Sequence, residues 1–312
     1  MPFDFNAAVQ APFRMQPGLR RMAAGAAQLT PSLPGGRALR EKLAVLGAHA
    51  SQALLASPGF DAAPALDALC RQARHEHPQA WAWDGSTAQA LHLAWAVHGD
   101  AVLPLDNTQP EIGSCLAALP AAWRLGGLLA LAFAEDFAIV DADSGCIPWL
   151  AVCLPSHWAP EAKVGRHFTE VHAPVADNAT LLAASAHLMR LVTAEERWER
   201  FVWTITQHPR LHAHPQRAAR EPWPAEATPE ALAAIAYWRT EHQTFIPVPA
   251  LRQAVFTIHV EVQTLELAIA TRERAARLRD ALASMSPAVL AYRGLSDVQS
   301  RLLTWLDRQD SA

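Results

Sequence analysis

Two stretches in the second half of the chain, WRTEHQTFIPV (238–248) and AVFTIHVEVQTL (254–265), alternate in character or run β-branched. They constrain the fold more than any other feature, because such runs are the mark of half-buried antiparallel strands. On a strand reading from Tyr237 to Phe245, period two puts Arg239, Glu241 and Gln243 on one face and Thr240, His242 and Thr244 on the other. Both faces are polar, so the strand is either a solvated edge or the wall of a polar pocket, the edge being the commoner case. In the next strand Phe256, Ile258, Val260 and Val262 face one way, as core, while Thr257, His259, Glu261 and Gln263 offer an imidazole and a carboxylate to a possible pocket on the other.

Further strands extend this sheet. FVWTITQ (201–207) has the same signature, and FAIVDADSGCIPWLAVCLPS (137–156) reads as a hairpin turning at Asp143-Ser144-Gly145. Helical periodicity occupies the rest. It covers 38–55, 61–77, 86–99 and 123–137, so the first 135 residues are expected to be mostly helical after a Pro/Gly-broken arm. HWAPEAKVGRHFTEVHAP (157–174) reads as a turn and a short helix, and 177–201 as one amphipathic helix capped by Asp177 or Asn178. Two helices, 265–285 and 296–309, close the chain around Arg293-Gly294. The expected class is α+β: an antiparallel sheet core over 136–265 with helices from 1–135 and 266–312 packed around it, in a single domain spanning 1–312.

Charge and motifs narrow the function. Thirty acidic against 26 basic residues give a net charge of −4, and no basic run offers a footprint for nucleic acid. Only Lys42 and Lys163 among the basic residues are lysines, a composition typical of GC-rich bacterial coding. Four cysteines without a C-x-x-C pair point to a reducing cytoplasm. The N-terminus lacks the order of a signal peptide, and the longest apolar stretch, Leu125 to Ala134, is too short to span a bilayer. The nucleotide-binding, α/β-hydrolase and zinc-protease motifs are absent. His208, His212 and His214 have spacings that could hold a metal, but Pro209 and Pro215 bracket them and no carboxylate or thiol joins, so a polar loop is the plainer reading. His172, just before Ala173-Pro174 at the end of the short helix, reads first as a helix C-cap.

The ordered series 135–175, FVWTI, WRTEHQTF and AVFTIHVEVQTL resembles the haem-dependent oxidative N-demethylase family. Pro12-Phe13-Arg14-Met15 near the start and LASMSPAVLAYRGLSDVQSRLLTWLD near the end extend the likeness to nearly the whole chain. The resemblance implies a PAS-like antiparallel sheet, wrapped by helices, that encloses a haem b. It implies O2-dependent oxidation of an N-methyl group on a small amine, with release of formaldehyde. Electrons would come from NADPH through FMN and [2Fe-2S] components of a separate reductase subunit, which suits a chain with neither a dinucleotide fingerprint nor a cysteine cluster.

The resemblance also weights individual residues. His172 lies where a haem-binding PAS domain supplies its axial imidazole, with His167 as the nearest competitor. Lys163 and Arg166 are candidates for the haem propionates. Trp203, Arg239, Glu241 and Gln243 match the family's W-[ST]-[IL] and R-x-E-R-Q-T patterns and are candidates for the substrate and O2 side of the pocket. There Glu241 would hold a protonated amine and Arg239 would fix Glu241 by a bidentate pair. Three positions depart from the pattern: Val202 replaces Asn, His242 replaces the second Arg, and Ile258-His259-Val260-Glu261 replaces I-R-T-Y. His259 thereby becomes a further potential ligand. The departures leave a haem-binding PAS-like sensor or interaction protein, without turnover, as the competing expectation.

Overall fold

The computed structural model describes residues 3–106 and 109–311. Its centre is a seven-stranded sheet in the order β1-β9-β10-β11-β7-β8-β2, antiparallel throughout. The long central strands are β9 (Trp198–Thr206), β10 (Tyr237–Val248) and β11 (Gln253–Thr264). The hairpin β7 (Asp136–Asp141) and β8 (Cys146–Ala151) flanks them, and short strands β1 (Arg20–Arg21) and β2 (Leu54–Ala56) cover the two edges. The hairpin and the β10–β11 pair lie where alternation and turn chemistry put them. Gly145 holds φ +69° at the turn, a left-handed conformation that glycine adopts without strain.

Register decides which side chains share a face. Gln243 stands between Arg200 on β9 and Ile258 on β11, Glu241 between Val202 and Val260, and Arg239 between Thr204 and Val262. Ala138 and Val140 of β7 continue this face opposite Phe256 and Ala254. Three helices lie against it: α6 (Phe168–His172), α7 (Ala179–Ala183) and α8 (Ser185–Val192). Phe168, Met189 and Val192 pack there on Val140, Ala254 and Phe256.

The other face carries the two main cores. Phe137, Ile139 and Val255 pack with helices α2 (Arg37–Ala53), α3 (Ala63–Glu76) and α5 (Arg124–Ala132), through residues such as Leu39, Leu69 and Leu128. Trp203, Ile205 and Trp238 pack with α11 (Arg272–Ala283), α12 (Pro287–Arg293) and α13 (Gln299–Ser311), through Leu278, Leu282, Val289 and Leu302. A buried ion pair fastens α2 to the sheet. The Lys42 Nζ lies 3.2 Å from Asp136 Oδ1 and also donates to the Phe133 and Glu135 carbonyls.

Two expectations are corrected. The first 135 residues are not mostly helical: an antiparallel meander of four strands, β3 (Trp81–Trp83), β4 (Thr87–Ala90), β5 (Trp95–His98) and β6 (Ala101–Pro104), occupies 81–104, including the segment read as a helix. Its alanines suit a helix, but Ala88 and Ala90 are buried with strand alternation and Ala96 and Val97 are buried beside them, so tertiary packing overrides local propensity. The segment 177–201 is likewise not one helix. It breaks between α7 and α8, stops at Val192, and enters β9 at Trp198, where nine residues pair with β10.

Candidate functional site

A cavity of about 350 Å3 lies between the Glu241 face of the sheet and the helices α6–α8. Phe245, Phe256, Ile258, Val140, Met189 and Val192 give it apolar walls. The polar side chains of β9 and β10, Arg200, Thr204, Arg239, Glu241 and Gln243, are confined to one side. The Arg239 strand is therefore the wall of a pocket and not a solvated edge.

Helix α6 is laid along the hairpin by backbone bonds: Gly165 N donates to the Ile147 carbonyl at 2.8 Å and Phe168 N to the Gly145 carbonyl at 2.8 Å. The approach is close, since a Cβ on Gly145 would stand 2.4 Å from His167 Nε2. His167 itself is the N-cap of α6, with Nδ1 accepting from Thr169 N and Glu170 completing a capping box. At the far end, Asn178 Nδ2 donates to the carbonyls of His172 and Ala173 at 3.1 and 2.9 Å. It caps α6 and not the helix that follows it.

This frame presents His172 to the cavity. Its Nδ1–H donates to the Phe168 carbonyl one turn back at 2.8 Å, which leaves the Nε2 lone pair free. Burial holds the imidazole neutral, its pKa pushed down to about 4; the Phe168 carbonyl opposes the shift, and the charges of Arg200 and Lys163 add to it. A neutral, oriented imidazole with an open nitrogen is what an iron centre requires. The cavity's aromatic and aliphatic walls suit a flat apolar ring system, and its cations suit the ring's carboxylates. The site therefore fits a haem.

The other candidates are placed as follows. Glu241 and Gln243 meet in the cavity, Gln243 Nε2 donating to Glu241 Oε2. Arg239 does not pair with Glu241. Its guanidinium is 1% exposed and is spent on Ser156 Oγ at 2.8 Å and on the carbonyls of Leu154, Pro155, Arg210 and Leu211. Carbonyls of the loops before α6 and after β9 lie within its reach, and they out-compete a carboxylate two residues along the same strand. Lys163 lines the cavity while Nζ donates to the Val171 carbonyl at 2.8 Å. Arg166 is exposed and is not in the cavity wall.

Trp203 only borders the cavity. Its register partner is Thr240, and its ring stacks on Trp238 at 4.7 Å on the opposite face. His259 also lies on the opposite face, where it stands across from His242 and 3.3 Å from Glu135. The apolar side of β11 is core as expected, through Ile258 and Val260, and its Phe256 and Ile258 also line the cavity, while its polar side turns away from it. His208, His212 and His214 are bound separately to the His212 carbonyl, the Cys153 carbonyl and Glu161. Among the described residues no three His, Cys, Asp or Glu side chains are gathered to hold a metal ion.

Among the cavity residues that sequence reasoning missed are Arg200, His157, Arg220 and Arg293. Arg200 faces the pocket from β9, and the alternation Arg200, Val202, Thr204 would have revealed it had the strand not been read as helix at that point. His157, with φ +60°, lines the cavity and keeps a buried Nδ1 without a partner. It also borders a second, open cleft of about 920 Å3, which shares Thr204, Arg220 and Arg293 with the cavity. The match to known families covers the elements that build this site. Residues 37–303 match the family described as haem-dependent oxidative N-demethylase, alpha subunit-like, and the chain belongs to that family.

Proposed function

We propose that this chain is the haem-carrying subunit of an oxidative N-demethylase, in which the cavity between β7–β11 and α6–α8 would take a haem b and His172 Nε2 would hold its iron. The observation that carries this reading is the His172 geometry: Nδ1–H committed to Phe168, Nε2 open, the ring neutral. The hairpin, the helical segment α6–α8 and the three-strand meander β9–β11 returning beside β7 support a PAS-like sheet. Cores that join residues 29 to 260 and 5 to 306 support one folding unit.

A bound haem supplies O2 activation, driven by NADPH electrons through an FMN/[2Fe-2S] partner, so that an N-methyl group is oxidised and lost as formaldehyde. The chain's own residues bind and orient. Glu241, 9% exposed and held by Gln243, accepts N–H bonds from a protonated small amine and fixes where its methyl groups lie. Phe245, Phe256, Ile258 and Val202 exclude water around that amine. Arg239 is a positioning residue: it ties the 154–156 and 210–211 segments to β10.

Of the departures from the family pattern, only Val202 lines the cavity; His242, His259 and Glu261 are on the far face of the sheet. On the cavity face Val260, opposite Glu241, also replaces a polar residue of the pattern, but Arg239, Glu241 and Gln243 are kept, which favours turnover over the sensor reading. We place the protein in the cytoplasm, a reading its four free cysteines support; no helix of the described residues is long and apolar enough to cross a membrane. Haem titration followed by reductase-coupled formaldehyde assay tests the function. Glu241→Gln is expected to cut amine oxidation while sparing haem content; equal loss of both, or loss of neither, would count against the role given to Glu241. Haem uptake with no formaldehyde from any small methylamine would favour the sensor.

A further inference from the structure

Arg200 carries a charge that the fold answers only at a distance, through Glu241, and not with a bonded partner. It lies on β9 directly across from Gln243 and faces the cavity, yet it makes no hydrogen bond or ion pair among the described residues. The other cavity cations differ. Lys163, Arg220 and Arg293 each donate to a backbone carbonyl, and Arg239 donates to several. Against these five cations the described cavity wall holds one carboxylate, Glu241, which is opposite Val202 and already engaged by Gln243. A half-buried guanidinium that faces a cavity without a bonded partner is open to a ligand that supplies one. Its planar fork of donors matches a carboxylate, and the excess of positive charge selects an anion.

We propose that Arg200 is a carboxylate-binding site: its guanidinium takes, by paired N–H···O bonds, the carboxylate of a molecule seated in the cavity. That carboxylate belongs either to the haem, as a propionate, or to the substrate, which would then be an N-methyl amino acid whose ammonium meets Glu241. The proposal rests on the haem-cavity reading above.

Three measurements on the full chain test it. Apo-protein is titrated with haem and with haem dimethyl ester, whose propionates are neutral, for wild type, Arg200→Met and Arg200→Lys. Haem-loaded protein is titrated with N-methylglycine and with dimethylamine, followed by perturbation of the Soret band. Thermal melting of the apo-proteins reports on folding. If Arg200 holds a propionate, the wild-type preference for haem over its ester falls on the order of tenfold to a hundredfold in Arg200→Met, with Arg200→Lys between. If it holds the substrate, that preference is kept and the preference for N-methylglycine over dimethylamine falls instead. In either case apo Arg200→Met melts no lower than wild type, because no native hydrogen bond or ion pair is lost. Both preferences unchanged, or a lower melting temperature for the apo variant, would overturn the proposal. Failure of wild type to take up haem would overturn the haem-cavity reading itself, and the Arg200 site with it.

Discussion

Replacing Arg239 by Met separates a positioning role from a chemical one. Methionine fills a similar space but leaves the carbonyls of Arg210 and Leu211, which accept from Arg239 at 2.9 and 2.6 Å, without their donor, while the Pro155 carbonyl keeps Ala213 N at 3.0 Å. The Leu154 carbonyl at 3.4 Å adds little. A buried acceptor left unsatisfied costs about 1–3 kcal/mol, and two of them sum to roughly 2–6 kcal/mol. Removing a guanidinium that is 1% exposed returns part of this, because its desolvation penalty of several kcal/mol disappears too. The net loss is expected near 2–4 kcal/mol. Urea denaturation followed by far-UV circular dichroism should show it as a lower midpoint at unchanged slope. Arg239→Lys should recover only part, since an ammonium cannot span acceptors on two separate segments as the guanidinium fork does. A stability loss under about 1 kcal/mol together with lost amine oxidation would refute this account and return Arg239 to direct contact with substrate.

Lys42→Met should destabilise the protein by about 3–5 kcal/mol, because it strands the buried Asp136 carboxylate; a thermal or urea midpoint close to wild type would contradict the pairing. Gly145→Ala should lower stability by about 1–3 kcal/mol and disturb α6, since the new Cβ meets His167 at a φ of +69°, and the melting temperature reads this directly. His157 is held down at about 4, first by burial and then by Arg239, Arg220 and His208. Between pH 4 and 6.5 the unfolded chain therefore binds more protons at this residue than the folded one, and stability should fall as pH drops through that window. His157→Asn should flatten the slope of unfolding free energy against pH there, and an unchanged slope would remove His157 as its source.

The sheet was legible where period two runs long. Tyr237–Val248 and Gln253–Thr264 each pair over many residues, and alternation correctly grouped Arg239, Glu241 and Gln243. Alternation gives a shared face but not a partner, which is why Arg239 was matched with Glu241 instead of with carbonyls from loops distant in sequence. It also does not say which face of β11 is covered by helices that leave a space, so His259 was drawn toward a pocket that Phe256 and Ile258 line. The meander at 81–104 was hidden because its strands are three or four residues long and rich in alanine, too short for a period to emerge. The helical period of Leu181 to Val192, carried on past its end to Phe201, conceals Arg200.

The central claim is that the iron of a bound haem takes its axial nitrogen from His172, and the spectrum of His172→Ala tests it most directly. As a helix-terminal side chain alone, neutral His172 contributes only its hydrogen bond to the Phe168 carbonyl, about 0.5–1.5 kcal/mol of stability, and has no spectral consequence. As the ligand, its loss should abolish or strongly shift the Soret band of the haem-titrated protein while the far-UV circular dichroism stays that of wild type. An unchanged haem spectrum in that variant would contradict the account.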